Sequence, residues 1–259
     1  MAEPIELALL HGFAGAPQAW DRVLAALTIQ AHPYAPWLPL HGSNPVEAVD
    51  WEDAARVLAA PVRTRGAWWV GYSMGARMAM AVAASCPDAV RGLVLIGGNP
   101  GLRSDAEREA RRAWERTWAD RLRDGSLSEF FAQWSAMPLF ASQRAVDERL
   151  REQQTRWRLG HDRRSLARAF ETFALSGMPD FRPALAALRK PVILLAGDGD
   201  AKYCDLGRAT AALAEHMTFR SVPGAGHNPL LEAPAALAEV LCTILAQPTG
   251  LGPATGGGM

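Results

Sequence analysis

Short apolar runs separated by helical periodicity dominate this 259-residue chain. Residues 5–10, 67–71, 92–96 and 192–196 read as buried strands, 218–222 as a weaker fifth, and the region near 30–32 offers a sixth. Between them, helical spacing of apolar residues fits 17–27, 49–58, 74–84, 206–216 and 234–245. Strands that alternate with helices, and that are apolar on both faces, require a mostly parallel sheet covered by helices on each side. The expected class is therefore α/β.

The alternation stops between about Leu102 and Pro183. That stretch carries no strand signal, while 106–122, 127–135, 142–159 and 164–175 look helical. It reads as a helical cap, residues 102–183, inserted over the carboxyl edge of a core made of 1–101 and 184–247. The Gly/Pro-rich end, 248–259, reads as a disordered tail. With 49% hydrophobic and 21% charged residues, the chain has the makeup of a globular protein. Zero net charge removes any compositional case for nucleic-acid or membrane-surface binding. Nearly all the cationic residues are arginines, the lysines being Lys190 and Lys202. Cys86, Cys204 and Cys242 are scattered, which fits a reducing compartment better than a disulfide framework, and no Cys/His spacing suggests zinc. The first residues lack a signal-peptide pattern, and no apolar run spans a bilayer. A cytoplasmic location and no cofactor are expected.

The chemistry starts at Gly71-Tyr72-Ser73-Met74-Gly75, between an apolar strand and an alanine-rich helix. This is the G-x-S-x-G pattern of a sharp strand-to-helix turn that lifts a serine out of the sheet. A serine hydroxyl becomes reactive when a histidine takes its proton and a carboxylate orients that histidine. Asp198 and Asp200 follow the strand 192–196 in GDGDAKY, and His227 follows 218–222 in GAGHNP. Asp200 lies further past its strand and is the better partner, leaving Asp198 to brace the turn. His32, His161 and His216 read as surface or cap residues, and His41 as part of a loop near the site. The backbone N–H groups of Met74, after the serine, and of Phe13, in HGFAGAP after the first strand, are the expected oxyanion donors.

Over residues 5–246 the chain resembles the α/β-hydrolase superfamily. Within it, LHGFAGAPQAW, GYSMGAR, GDGDAKY, GAGHNP and the cap stretches GGNPGLRSDAEREARRAWERTWADRL and FFAQWSAMPLF resemble the 2-succinyl-6-hydroxy-2,4-cyclohexadiene-1-carboxylate synthases of menaquinone biosynthesis. The resemblance implies a lyase that eliminates pyruvate from an enolpyruvyl cyclohexene, with the serine–histidine pair abstracting a ring proton. It implies a small polycarboxylate substrate, held by Arg77, Arg111 and Arg158, with Arg156 as the alternative to the last. Trp134 and Tyr72 match pocket-lining positions. Ala76 stands where the family often has a second glycine, a departure that leaves room for an altered substrate. The competing reading is a serine carboxylesterase with the same Ser73, Asp200 and His227, and a non-catalytic binding module is a third. A monomer or small homo-oligomer is expected.

Overall fold

A computed structural model describes residues 3–43 and 45–246, so the expected disordered tail at 248–259 lies outside the described residues. Six parallel strands form one sheet in the order β2-β1-β3-β4-β5-β6. They are β1 Ile5–Leu10, β2 Ala31–Tyr34, β3 Ala67–Tyr72, β4 Val90–Ile96, β5 Val192–Gly197 and β6 Met217–Val222. The helices, in chain order, are α1 Asp21–Ala26, α2 Trp51–Ala59, α3 Met74–Ser85, α4 Asp105–Asp124, α5 Leu127–Ser135, α6 Glu148–Leu159, α7 Arg163–Thr172, α8 Arg182–Ala187, α9 Ala201–Ala211, α10 Pro229–Glu232 and α11 Pro234–Leu245.

The two-residue period of the strands divides the core. Ala8, Leu10, Trp69, Leu93, Leu95 and Leu194 pack with α2, α3 and α8 on one face. Leu7, Leu9, Trp68, Val70, Val94, Ile96 and Leu195 pack with α1 and α11 on the other. Trp69 is fully buried yet satisfied, because its indole N–H donates to the Ala89 carbonyl at 3.0 Å. Gly92 makes room on the opposite face, since a Cβ there would lie 2.4 Å from the Trp68 ring.

Helices α4 to α7 lie in the connection from β4 to β5. They gather a separate apolar cluster around Trp118, Phe130, Phe131, Leu166 and Phe170, which also takes in Ala14 and Phe13 from the loop after β1. Capping boxes at Ser104 with Glu107 and at Ser126 with Glu129 start α4 and α5.

Several boundaries differ from the sequence reading for local reasons. The helix expected at 206–216 runs instead from Ala201 to Ala211, because Asp200 caps it by accepting from the Tyr203 N–H. The expected helix 142–159 is broken into a 3-10 segment, Pro138–Ala145, and α6, which Asp147 caps. Helix α7 stops at Thr172, short of the expected 175, and the Leu175 and Ser176 N–H groups turn to the Glu115 carboxylate. Among the described residues no helix is long and apolar enough to cross a membrane.

Candidate active site

Ser73 sits between β3 and α3 with φ 52° and ψ −107°, a conformation that side chains rarely adopt. Steric crowding explains the flanking glycines. A Cβ on Gly71 would lie 2.3 Å from the Gly75 carbonyl oxygen, and one on Gly75 would lie 2.2 Å from that of Leu10. The turn is held by the Ser73 N–H, which donates to the Ile96 carbonyl at 2.8 Å.

The three residues read from the sequence as a relay meet at this edge. His227 Nδ1 donates to Asp200 Oδ2 at 2.7 Å, and its Nε2 lies 3.4 Å from Ser73 Oγ. A protonated Nδ1 leaves Nε2 bare, in the form that accepts a hydroxyl proton. The His227 and Asp200 side chains are both almost fully buried. The ring is wedged against Tyr203, 4.6 Å between centroids, and Gly97 at φ 58° leaves space beside its Cε1. Asp198 is turned away and accepts from the Gly224 N–H at 3.0 Å.

Met74 is the first residue of α3, where the backbone N–H has no intrahelical acceptor. Phe13 lies in the tight turn after β1, closed by the Gly15 N–H donating to the Gly12 carbonyl at 2.9 Å. A cavity of about 400 Å³ opens over Ser73 and His227, with Phe13, Met74, Arg77, Arg111, Trp114, Trp134 and Tyr203 in its wall. A smaller pocket of about 60 Å³ meets the same serine from another side and is lined by Gly12 to Gly15, Tyr72, Gln154, Arg158 and Asn228. Trp134 contributes to both.

The arginines are therefore divided. Arg77 lines the larger cavity and donates to the Phe173 carbonyl at 2.9 Å; burial, reinforced by Arg111, pulls its pKa down to about 10. Arg111 lies over the Trp114 ring at 4.2 Å and donates from Nε to Glu115 at 2.8 Å. Burial acts to raise the Glu115 carboxyl, but Arg111 and its bonds with Ser176 and Leu175 outweigh that and hold it below the usual value. Arg158 faces the small pocket, buried, with one hydrogen bond to Ser135 Oγ at 2.8 Å. Arg156 is exposed, whereas Arg158 is buried and lines the small pocket at Ser73. Tyr72 is buried beside it, its hydroxyl pushed well up by burial.

Glu115, Lys202, Tyr203 and Asn99 also line the large cavity and were not anticipated. The Glu115 signal was its position four residues after Arg111, the spacing of a helical ion pair. Of the surface and cap readings given for His161, the surface one does not hold: it is buried and its Nδ1 accepts from the Gly42 N–H at 2.8 Å. Among the described residues no group of histidine, cysteine or acidic side chains could hold a metal ion.

A single parallel sheet, a serine in a strained strand-to-helix turn and the Ser–Asp–His order along the chain define a hydrolase-type α/β fold. The chain belongs to the alpha/beta hydrolase family, whose pattern matches residues 7–240. It is 35% identical over 244 residues to the 2-succinyl-6-hydroxy-2,4-cyclohexadiene-1-carboxylate synthase of Klebsiella pneumoniae, covering 93% of each chain. The synthase of that name from Salmonella typhimurium is also 35% identical, over 92% of this chain and 93% of the relative. MenH from S. aureus shares the fold with a TM-score of 0.87, 22% identity and 94% coverage of both chains. A thermophilic esterase from Thermogutta terrifontis shares it at 0.78, with 24% identity over 95% of this chain and 90% of that one.

Proposed function

We propose that the protein is a carbon–oxygen lyase of menaquinone biosynthesis. It eliminates pyruvate from 2-succinyl-5-enolpyruvyl-6-hydroxy-3-cyclohexene-1-carboxylate to give 2-succinyl-6-hydroxy-2,4-cyclohexadiene-1-carboxylate. The observation that carries this reading is 35% identity along 93% of the chain to synthases of that product. Arg77 and Arg111 in the wall of the cavity over Ser73 support it, because a guanidinium fork suits a carboxylate and a neutral ester would not need one.

The bond changes follow from substrate and product. The double bond moves from C3–C4 to C2–C3 and C4–C5, so a proton leaves C2 and the enolpyruvyl oxygen leaves C5. His227, oriented by Asp200, takes the Ser73 proton, and the serine oxygen removes the C2 proton, which is acidic because it adjoins the succinyl ketone. Negative charge passes to the ketone oxygen, where the N–H groups of Phe13 and Met74 would receive it. Electrons return through the ring, the C5–O bond breaks with its pair on oxygen, and the pyruvate enolate takes a proton on its methylene carbon. The three residues thus act as base and the two N–H groups as enolate stabilisers. Three free cysteines support a cytoplasmic setting.

The second reading, a serine carboxylesterase, uses the same Ser73, Asp200 and His227, and the fold shared with an esterase favours it. Pyruvate release, followed by coupling to NADH oxidation, separates the two. The enolpyruvyl substrate should be consumed with stoichiometric pyruvate, and Ser73→Ala should slow this by about 10⁴-fold or more without unfolding the protein. Rapid cleavage of aryl esters with no pyruvate release would refute the lyase.

A further inference from the structure

We infer that Glu232 is a positioning residue for the base: its carboxylate clamps the backbone on both sides of His227 and so fixes where the imidazole points. The assignment rests on the base role given to His227 above, which the lyase and esterase readings share.

His227 has to meet two partners at once, Asp200 through Nδ1 at 2.7 Å and Ser73 through Nε2 at 3.4 Å. It sits in the loop between β6 and α10, so its ring follows any shift of that loop. The start of the loop is fastened to the end of β5. There the Gly224 N–H donates to Asp198 at 3.0 Å, and the Ala225 carbonyl accepts from the Gly199 N–H at 2.9 Å. Around the histidine itself Glu232 takes over. The Gly226 N–H donates to its Oε2 at 2.6 Å, and the Asn228 N–H donates to its Oε1 at 3.0 Å. One carboxylate therefore holds the residue before His227 and the residue after it. Hydrogen bonds to an ionised acceptor are the stronger kind, and the fixed spacing of the two oxygens sets the spacing of the two N–H groups.

Burial and crowding make this clamp hard to replace. Gly226, His227 and Asn228 are all buried, so bulk water has no ready access to their N–H groups. Without Glu232, two buried donors lose their acceptor, and the backbone must shift to find another. The path of that backbone is narrow. A Cβ on Gly226 would lie 2.1 Å from Ser142 Oγ in the 3-10 segment of the cap and 2.9 Å from Glu232 Oε2. On the other side, a Cβ on Gly197 at the end of β5 would lie 2.1 Å from the Gly226 carbonyl oxygen. Glu232 thus holds the chain in the gap between sheet and cap. Its charge also reaches the site: burial first, and then Glu232, push the Tyr72 hydroxyl up, and the Tyr72 ring lies 5.6 Å from that of His227.

The test compares Glu232→Ala, Glu232→Gln and Asp198→Ala with the wild type, each checked for folding by circular dichroism. Two activities are read. One is kcat and KM for pyruvate release; the other is labelling of Ser73 by a fluorophosphonate, which needs the same base and no enolpyruvyl group. Glu232→Ala should lower kcat and the labelling rate by about 10- to 100-fold, the scale of a misplacement of about 1 Å. KM should stay within about threefold, because the cavity wall is untouched. Glu232→Gln keeps one acceptor oxygen and turns an NH₂ toward the other N–H, so it should fall between the two and serves if the alanine variant does not fold. Asp198→Ala frees the same loop at Gly224, away from the histidine, and should lower the melting temperature while kcat stays within about twofold. Wild-type kcat and labelling in the folded Glu232 variants overturn the assignment. So does an equal loss in Asp198→Ala, which would make Glu232 an ordinary tether of the loop. A wild type that is labelled but releases no pyruvate overturns the lyase reading instead, and the labelling rates then decide the role of Glu232.

Discussion

Three histidine rings are packed together beneath the loop that carries Phe13. His11 lies 5.4 Å from His41, and His41 lies 5.5 Å from His161, between ring centroids. Their hydrogen bonds suit neutral rings. His11 donates from Nδ1 to the Gly12 carbonyl and accepts at Nε2 from the Leu38 N–H. His161 accepts at Nδ1 from Gly42, and His41 donates from Nδ1 to the Pro39 carbonyl. Burial drives the His11 pKa down from 6.5 to about 3. It also holds His41 well below its usual value, reinforced by repulsion from His11 and His161. His161 is lowered by burial too, with repulsion from Arg158 adding to it against the Ala14 and Gly15 carbonyls. Well above pH 6.5 these rings are neutral whether the chain is folded or not, and they do not affect stability. Below it the unfolded chain takes up protons that the folded one refuses, so stability falls with pH. For His11 that window extends down to about pH 3. At about 1.4 kcal/mol per pH unit, one such ring costs about 2 kcal/mol at pH 5. The lowered His41 and His161 act in the same direction, against the roughly 5–15 kcal/mol that stabilises a domain. Urea unfolding between about pH 7.5 and pH 5 should show this loss, and His41→Phe should reduce the slope. Stability that is flat across this range, or an unchanged slope in the variant, would refute the reasoning.

Three other perturbations bear on the site. Arg77→Ala should lower kcat/KM for pyruvate release by about 10- to 150-fold, as loss of a charge-assisted bond implies, and an unaffected enzyme would exclude Arg77 from substrate binding. Glu115→Ala strands the Leu175 and Ser176 N–H groups and removes the partner of Arg111, so urea unfolding should register a loss of about 3–5 kcal/mol. A loss within the scatter of the measurement would mean that water replaces the carboxylate. Gly75→Ala puts a methyl group against the Leu10 backbone, and no folded protein should be recovered. Wild-type circular dichroism and melting temperature in that variant would contradict the crowded strand-to-helix turn.

The local features of this chain could be read from the sequence because their causes are local. A strand buried on both faces must be apolar along its length, so β1, β3, β4 and β5 stand out as runs, whereas the half-exposed β2 and β6 were faint. The serine turn announces itself because glycine alone fits at Gly71 and Gly75, although the atom that excludes a side chain at Gly75 belongs to another strand. Asp200 and His227 could be named because each follows a strand end, and parallel strands deliver all their ends to one edge. Other features depended on which surfaces came to face each other. Arg156 and Arg158 are two residues apart, and the docking of α6 near Ser135 and Phe131 buried one while leaving the other in solvent. The separation of Arg158 from Arg77 and Arg111 arose in the same way, since Ser73 lies between two cavities whose walls come from distant parts of the chain. His161 reads from the sequence as a surface or cap residue, but the fold brings it to Gly42, 119 positions away, where a buried N–H needs an acceptor. A hydrogen bond of that range leaves no periodicity or spacing in the chain, because the need for it exists only after folding has excluded water from the pair.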